Sequence, residues 1–142
     1  MRILMLCTGN ICRSPLAEAA MARELPGHEV SSAGLRAIDG MPADATAREL
    51  AAAQGLDLTA HRARRLHPGL WQAADVVFVM DTDHLRELIA RAPTVQGKAF
   101  RLGHLGGFDI ADPYQQPREA FDAAWAAIAR GVADWVPRLQ RL

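Results

Sequence analysis

Apolar residues along the chain fall into two kinds of run. Some are short and unbroken, as in Ile3-Leu4-Met5-Leu6-Cys7 and Val76-Val77-Phe78-Val79-Met80. Unbroken apolar runs of strand length mark strands buried on both faces of a sheet. Others recur at helical spacing, as at Ala124, Trp125, Ile128 and Trp135. The pattern predicts strands over residues 2–7, 29–32, 75–80 and 98–102. It predicts helices over residues 15–25, 44–54, 82–91 and 117–139. Pro15 suits a first helical turn, where a missing N–H is no loss, and Gly55 suits a helix C-terminal cap. Pro137 falls in the last turn of the final helix and predicts an early end there.

Alternation of strand and helix gives an α/β class: a four-stranded parallel sheet with helices on both faces. Ligands of such sheets bind beyond the carboxyl ends of the strands, near a switch in strand order. The loop after the first strand is therefore the first place to look for chemistry. No repeat, low-complexity tract or linker divides the chain, so a single domain over residues 1–142 is expected.

Composition narrows the function classes. Half of the 142 residues are apolar, enough for a core without disulfides or metals. Basic and acidic side chains number 16 each, so no net charge draws the chain to nucleic acid or to an acidic membrane surface. The apolar run at the N-terminus is far shorter than the roughly 20 residues of a membrane span, and no membrane insertion is expected. A cytoplasmic location follows as the expectation, with thiols kept reduced. Cys7 and Cys12 then read as reactive or packing groups. Without a histidine pair at ligand spacing they do not suggest zinc, and no cofactor or metal is expected.

The loop Cys7-Thr8-Gly9-Asn10-Ile11-Cys12-Arg13-Ser14 sets a cysteine and an arginine five residues apart, between a strand and a helix. Its backbone N–H groups can curl around an anion at the helix N-terminus. Gly9 is expected to supply the unusual dihedrals, which Asn10 also tolerates. Arg13 offers a planar fork that matches two phosphate oxygens. Cys7 at the base of the cradle faces a positive field that favours the thiolate, and the Ser14 hydroxyl can donate to its sulfur. The chemistry this suggests is thiolate attack on phosphorus with the equatorial oxygens held by amides and guanidinium. Breaking a phosphate ester also needs a proton for the leaving oxygen. Asp112-Pro113-Tyr114 lies in a loop after the last strand, at the same sheet edge. The residues alone leave Asp112 open between a general acid and an Asp-Pro turn.

With these segments in view, the chain resembles the low-molecular-weight protein tyrosine phosphatases. The likeness runs through residues 4–18 (LMLCTGNICRSPLAE), Ser32-Ala33-Gly34, residues 61–65, Val79-Met80-Asp81 and Asp112-Pro113-Tyr114. The resemblance implies Cys7 as nucleophile, Arg13 as phosphate clamp and Asp112 as general acid. It implies that Thr8, Gly9, Asn10, Ile11, Cys12 and Ser14 form the phosphate loop, with Asn10 bracing it and His61 supporting Asn10. Tyr114 would form one wall of a slot for the substrate ring and Met41 the other.

Ile11 and Tyr114 suit a flat phenyl ring and so favour phosphotyrosine. Relatives acting on phosphoarginine tend to carry threonine at the position of Ile11. Gln115 stands where many eukaryotic members have a second tyrosine, which excludes regulation through that residue. The stretch DPYQQPREAF from Asp112 and Leu102-Gly103-His104 look most like the bacterial branch associated with exopolysaccharide export. The partner implied is a phosphotyrosine protein, a bacterial tyrosine autokinase. Alternatives are a phosphoarginine phosphatase, an arsenate reductase of the same fold, and a phosphopeptide-binding module without catalysis. Cys12 fits either a packing residue or the partner of a reversible disulfide with Cys7.

Overall fold

The computed structural model describes residues 1–142. Its strands are β1 (Arg2–Cys7), β2 (Glu29–Gly34), β3 (Val76–Val79) and β4 (Ala99–Arg101). Its helices are α1 (Arg13–Glu24), α2 (Ala45–Ala53), α3 (Pro68–Ala73), α4 (Thr82–Arg91) and α5 (Arg118–Leu139), with a single 3-10 turn at Pro93–Val95. All strands are parallel, in the order β2-β1-β3-β4. The chain steps from β1 to one side for β2 and to the other for β3. The strand order therefore switches at β1, and the loop that leaves β1 opens into that crevice.

The unbroken apolar run of β1 divides between two layers. Ile3, Met5 and Cys7 face α1, α2 and α5, and pack with Leu16, Met21, Leu50, Phe78, Phe121 and Ile128. Leu4 and Leu6 face the other way, against Trp71 of α3, Leu88 of α4, and Leu35. Both faces of the sheet are covered, as the absence of polar alternation predicts. No helix is long and apolar enough to cross a membrane.

Several boundaries depart from the sequence pattern, each for a local reason. α1 begins at Arg13, two residues before the expected start, so Pro15 is its third residue. It still lies in the turn whose N–H groups have no intrahelical acceptor. Arg13 and Ser14 are polar yet buried, and a search for an apolar start overlooks them. β2 runs two residues further than expected, because Ala33 and Gly34 pair with Leu6 and Cys7. α3 was not expected, since His67-Pro68-Gly69 reads as turn punctuation. Pro68 instead opens the helix, and Trp71 anchors it in the core. Pro137 does not end α5 early: Val132, Trp135 and Leu139 continue one buried stripe past it. Gly55 follows α2 with φ +76°, the left-handed conformation expected of the residue that closes a helix.

Candidate active site

Residues 8–12 leave β1 and enter α1 with almost every carbonyl bonded outward. Cys7 O accepts from Leu35 N at 2.9 Å, and Thr8 O from Arg36 N at 2.9 Å. Asn10 O lies 2.7 Å from His61 Nε2. Ile11 O accepts from Asp44 N at 2.8 Å, and Cys12 O from Leu16 N at 3.4 Å. Asp44 also caps α2 through Thr46 N and Ala47 N, so the start of that helix is tied to the loop. No acceptor within the protein takes the N–H groups of Thr8, Gly9, Ile11 or Cys12. With the carbonyls turned out, these donors are left for an anion at the mouth of α1.

The loop's turn is made differently from the sequence expectation. Asn10, and not Gly9, adopts the left-handed conformation, with φ 58°. Its side chain compensates for that strain with three hydrogen bonds. Nδ2 donates to Ser14 Oγ and Ser32 Oγ, both at 2.9 Å, and Oδ1 accepts from Arg64 N at 3.0 Å. A Cβ on Gly9 would meet only Ile11 Cγ1 at 3.7 Å, an ordinary contact. A flexible glycine alone could make the turn, but asparagine makes it and locks it.

Cys7 Sγ lies at the floor of the cleft, 2.9 Å from Ser14 Oγ and 3.3 Å from the Asn10 N–H. Ser14 Oγ already accepts from Asn10 Nδ2, so its own proton is directed to the sulfur. Two hydrogen bonds thus converge on the sulfur. Cys12 has a different setting. Burial, then the charge of Asp44 and the neighbouring Cys7, push its thiol well above the ordinary range. Both cysteines are free thiols.

Arg13 is buried at the other end of the loop. Nη1 donates to Asp81 Oδ2 at 3.0 Å and to Ile110 O at 2.8 Å. That leaves the Nε and Nη2 edge of the fork for an anion. Asp112 Oδ2 lies 3.6 Å from Nη2, while its Oδ1 accepts from Tyr114 N at 3.1 Å, an Asx turn. Asp112 thus borders the same cleft as Cys7. Its loop is pinned where Ile110 N donates to Met80 O at 2.9 Å.

The cleft has a volume of about 240 Å³. Met41 and Tyr114 line it together with Ile11. So do Ile38 and Arg36, two residues that sequence reasoning passed over. Ile38 is 68% exposed and Tyr114 44%, large apolar surfaces for a solvent-facing rim. Both missed residues follow Ser32-Ala33-Gly34 at the carboxyl end of β2, where the rule for parallel sheets points. Asp81 and Ser32 lie in quoted motif segments, but nothing in the sequence alone assigns them to Arg13 and Asn10.

Gly34 explains why β2 can approach the loop so closely. A Cβ there would stand 2.7 Å from Thr8 O, 2.8 Å from Ala37 Cβ and 3.0 Å from Asn10 N. Two of those atoms are backbone and cannot swing aside. Gly34→Ala is expected to destabilise the fold by about 1–3 kcal/mol and to weaken inorganic phosphate binding. Denaturant unfolding and phosphate titration check this. Unchanged phosphate affinity would mean that the loop does not depend on this contact.

Comparison with known proteins finds relatives over nearly the whole chain. The model of the family described as low molecular weight phosphotyrosine protein phosphatase matches residues 2–142. The probable low molecular weight protein-tyrosine-phosphatase EpsP of Ralstonia nicotianae is 47% identical over 99% of this chain and 97% of its own length. Among solved structures, Vibrio vulnificus Wzb in complex with benzylphosphonate superposes with a TM-score of 0.93. It is 37% identical, over 96% of this chain and 97% of that one. The YwlE arginine phosphatase from Geobacillus stearothermophilus superposes at 0.92 and is 34% identical, over 99% and 93%. The chain belongs to the low molecular weight protein-tyrosine-phosphatase family.

Proposed function

We propose that this enzyme hydrolyses phosphotyrosine on proteins through a phosphoryl group carried on Cys7. The observation that carries the reading is the sulfur itself, which receives two hydrogen-bond donors at the base of a loop whose carbonyls are turned away. Cys7 Sγ attacks phosphorus in line with the tyrosine oxygen. The N–H groups of Thr8, Gly9, Ile11 and Cys12 and the free edge of Arg13 hold the equatorial oxygens as charge spreads onto them. The P–O bond to tyrosine breaks, and Asp112 gives its proton to the departing oxygen. Asp112, now a carboxylate, takes a proton from a water that attacks the cysteinyl phosphate. The S–P bond breaks, Ser14 stabilises the returning thiolate, and phosphate leaves.

The superposition with an arginine phosphatase means that the fold alone does not select the substrate. The rim does. Ile11, Ile38, Met41 and Tyr114 offer apolar and aromatic surface to the group that carries the phosphate. A phenyl ring fits such walls, whereas a guanidinium would give up hydration to them. The expected result is a kcat/KM for a phosphotyrosine peptide at least about tenfold above that for phosphoarginine, a difference of about 1.4 kcal/mol in transition-state binding. The reverse preference would assign phosphoarginine.

Arsenate reduction requires a relay that passes a disulfide outward. Here Cys12 is buried and there is no third cysteine. We place the enzyme in the cytoplasm, in the exopolysaccharide-associated branch, with the phosphorylated tyrosine-rich tail of a tyrosine autokinase as substrate. Loss of phosphate from such a tail on incubation with the enzyme is the test.

A further inference from the structure

His84, near the start of α4, is a buried histidine with no part in the steps above. It is 5% exposed, and its Nε2 lies 2.8 Å from Thr8 Oγ1. Its Nδ1 is buried without a hydrogen-bond partner and faces Asp81 Oδ1 at 3.5 Å. Asp81 in turn caps α4 through His84 N at 2.8 Å, and its second oxygen holds Arg13. One imidazole therefore stands between the loop's first residue after the cysteine and the carboxylate that aims its arginine.

A neutral imidazole has one donor and one acceptor nitrogen. A lone pair on Nδ1 would face the Asp81 carboxylate and be repelled, so Nδ1 carries the proton. Nε2 is then the acceptor, and the Thr8 hydroxyl must donate to it. The Thr8 carbonyl is already tied to Arg36 N. With its side chain tied to His84 as well, Thr8 cannot rotate, and its N–H stays aimed into the cradle. Burial keeps His84 below its ordinary pKa, against the pull of Asp81 and Glu87 and with the help of Arg13 and Arg36. That direction favours the neutral ring this arrangement requires.

We propose that His84 is a positioning residue that holds the Thr8 peptide and the Arg13 fork in one geometry through the Thr8 hydroxyl and the Asp81 carboxylate. The proposal rests on the phosphatase reading for its meaning, but its test does not depend on turnover. Inorganic phosphate affinity, measured by calorimetry, reads the cradle directly. Steady-state hydrolysis of p-nitrophenyl phosphate reads its catalytic use.

In Thr8→Val and in His84→Ala, phosphate affinity and kcat/KM are each expected to fall about tenfold. The double variant should be no worse than the worse single one, because both cut the same connection. His84→Gln places an amide oxygen near the position of Nε2 and is expected to recover most of the loss. A histidine that only fills the core would lower the unfolding midpoint, and its losses would multiply with those of Thr8→Val. Multiplying losses, or unchanged phosphate affinity in both single variants, would overturn the proposal. If His84→Ala does not fold, Thr8→Val decides alone, and an unchanged phosphate affinity there overturns it. Wild type that binds phosphate but hydrolyses nothing would remove the phosphatase reading and leave the affinity cycle as the test of this one.

Discussion

Cys7→Ser is expected to abolish turnover while phosphate still binds. The two functions separate because different atoms carry them. Binding, in the proposed mechanism, uses the N–H groups of Thr8, Gly9, Ile11 and Cys12 and the free edge of Arg13, none of which the substitution removes. Attack, in the proposed mechanism, uses the sulfur that meets Ser14 Oγ and the Asn10 N–H. A serine hydroxyl in the same place stays protonated and is a poor nucleophile without a base beside it. Hydrolysis of p-nitrophenyl phosphate should fall by at least about 10⁴-fold, and phosphate affinity should stay within about threefold. Loss of both together would make Cys7 a structural residue. A wild type that binds phosphotyrosine peptide without releasing phosphate would favour a binding module.

Asp112→Asn should show a loss that depends on the leaving group. General acid catalysis is worth about 10²–10⁴-fold where the departing oxygen needs a proton, and far less where it does not. Phenyl phosphate, a poor leaving group, is expected to lose about 10²–10³-fold in rate, and p-nitrophenyl phosphate much less. The substitution also removes a negative charge 3.6 Å from Arg13 Nη2. Phosphate should therefore bind the variant somewhat more tightly than wild type. Equal rate losses for both esters, or weaker phosphate binding, would mean that Asp112 only shapes its turn.

Both predictions draw on residues the chain displays openly. Cys7 to Ser14 is one contiguous segment between an apolar run and a helix-period segment. Its meaning is local, because an N–H cradle at a helix start is made by neighbours in sequence. Asp112-Pro113-Tyr114 is legible as a motif, and its place at the same sheet edge follows from parallel strands.

The residues that hold the loop were less legible. His61, flagged only by resemblance, meets Asn10 O. Ser32 and Arg64 meet the Asn10 side chain, and His84 meets Thr8. Asparagine in the left-handed turn could be called tolerable from sequence, but its three hydrogen bonds could not be counted there. The short helix α3 was hidden by His67-Pro68-Gly69, since the same residues open helices and make turns.

The chain by itself determined the class of sheet, the helices of strong period and the identity of the phosphate loop. Each of these is written in apolar spacing or in adjacent residues. Tertiary structure alone decided which side chains brace that loop and which form the rim of its cleft. The side chains outside the loop that hydrogen-bond its own side chains lie from 22 to 76 residues away in the chain. Only the switch of strand order at β1 carries the ends of β2 and β3 to either side of it. A hydrogen bond between distant residues leaves no period in the sequence, because its geometry exists only once the strands have paired.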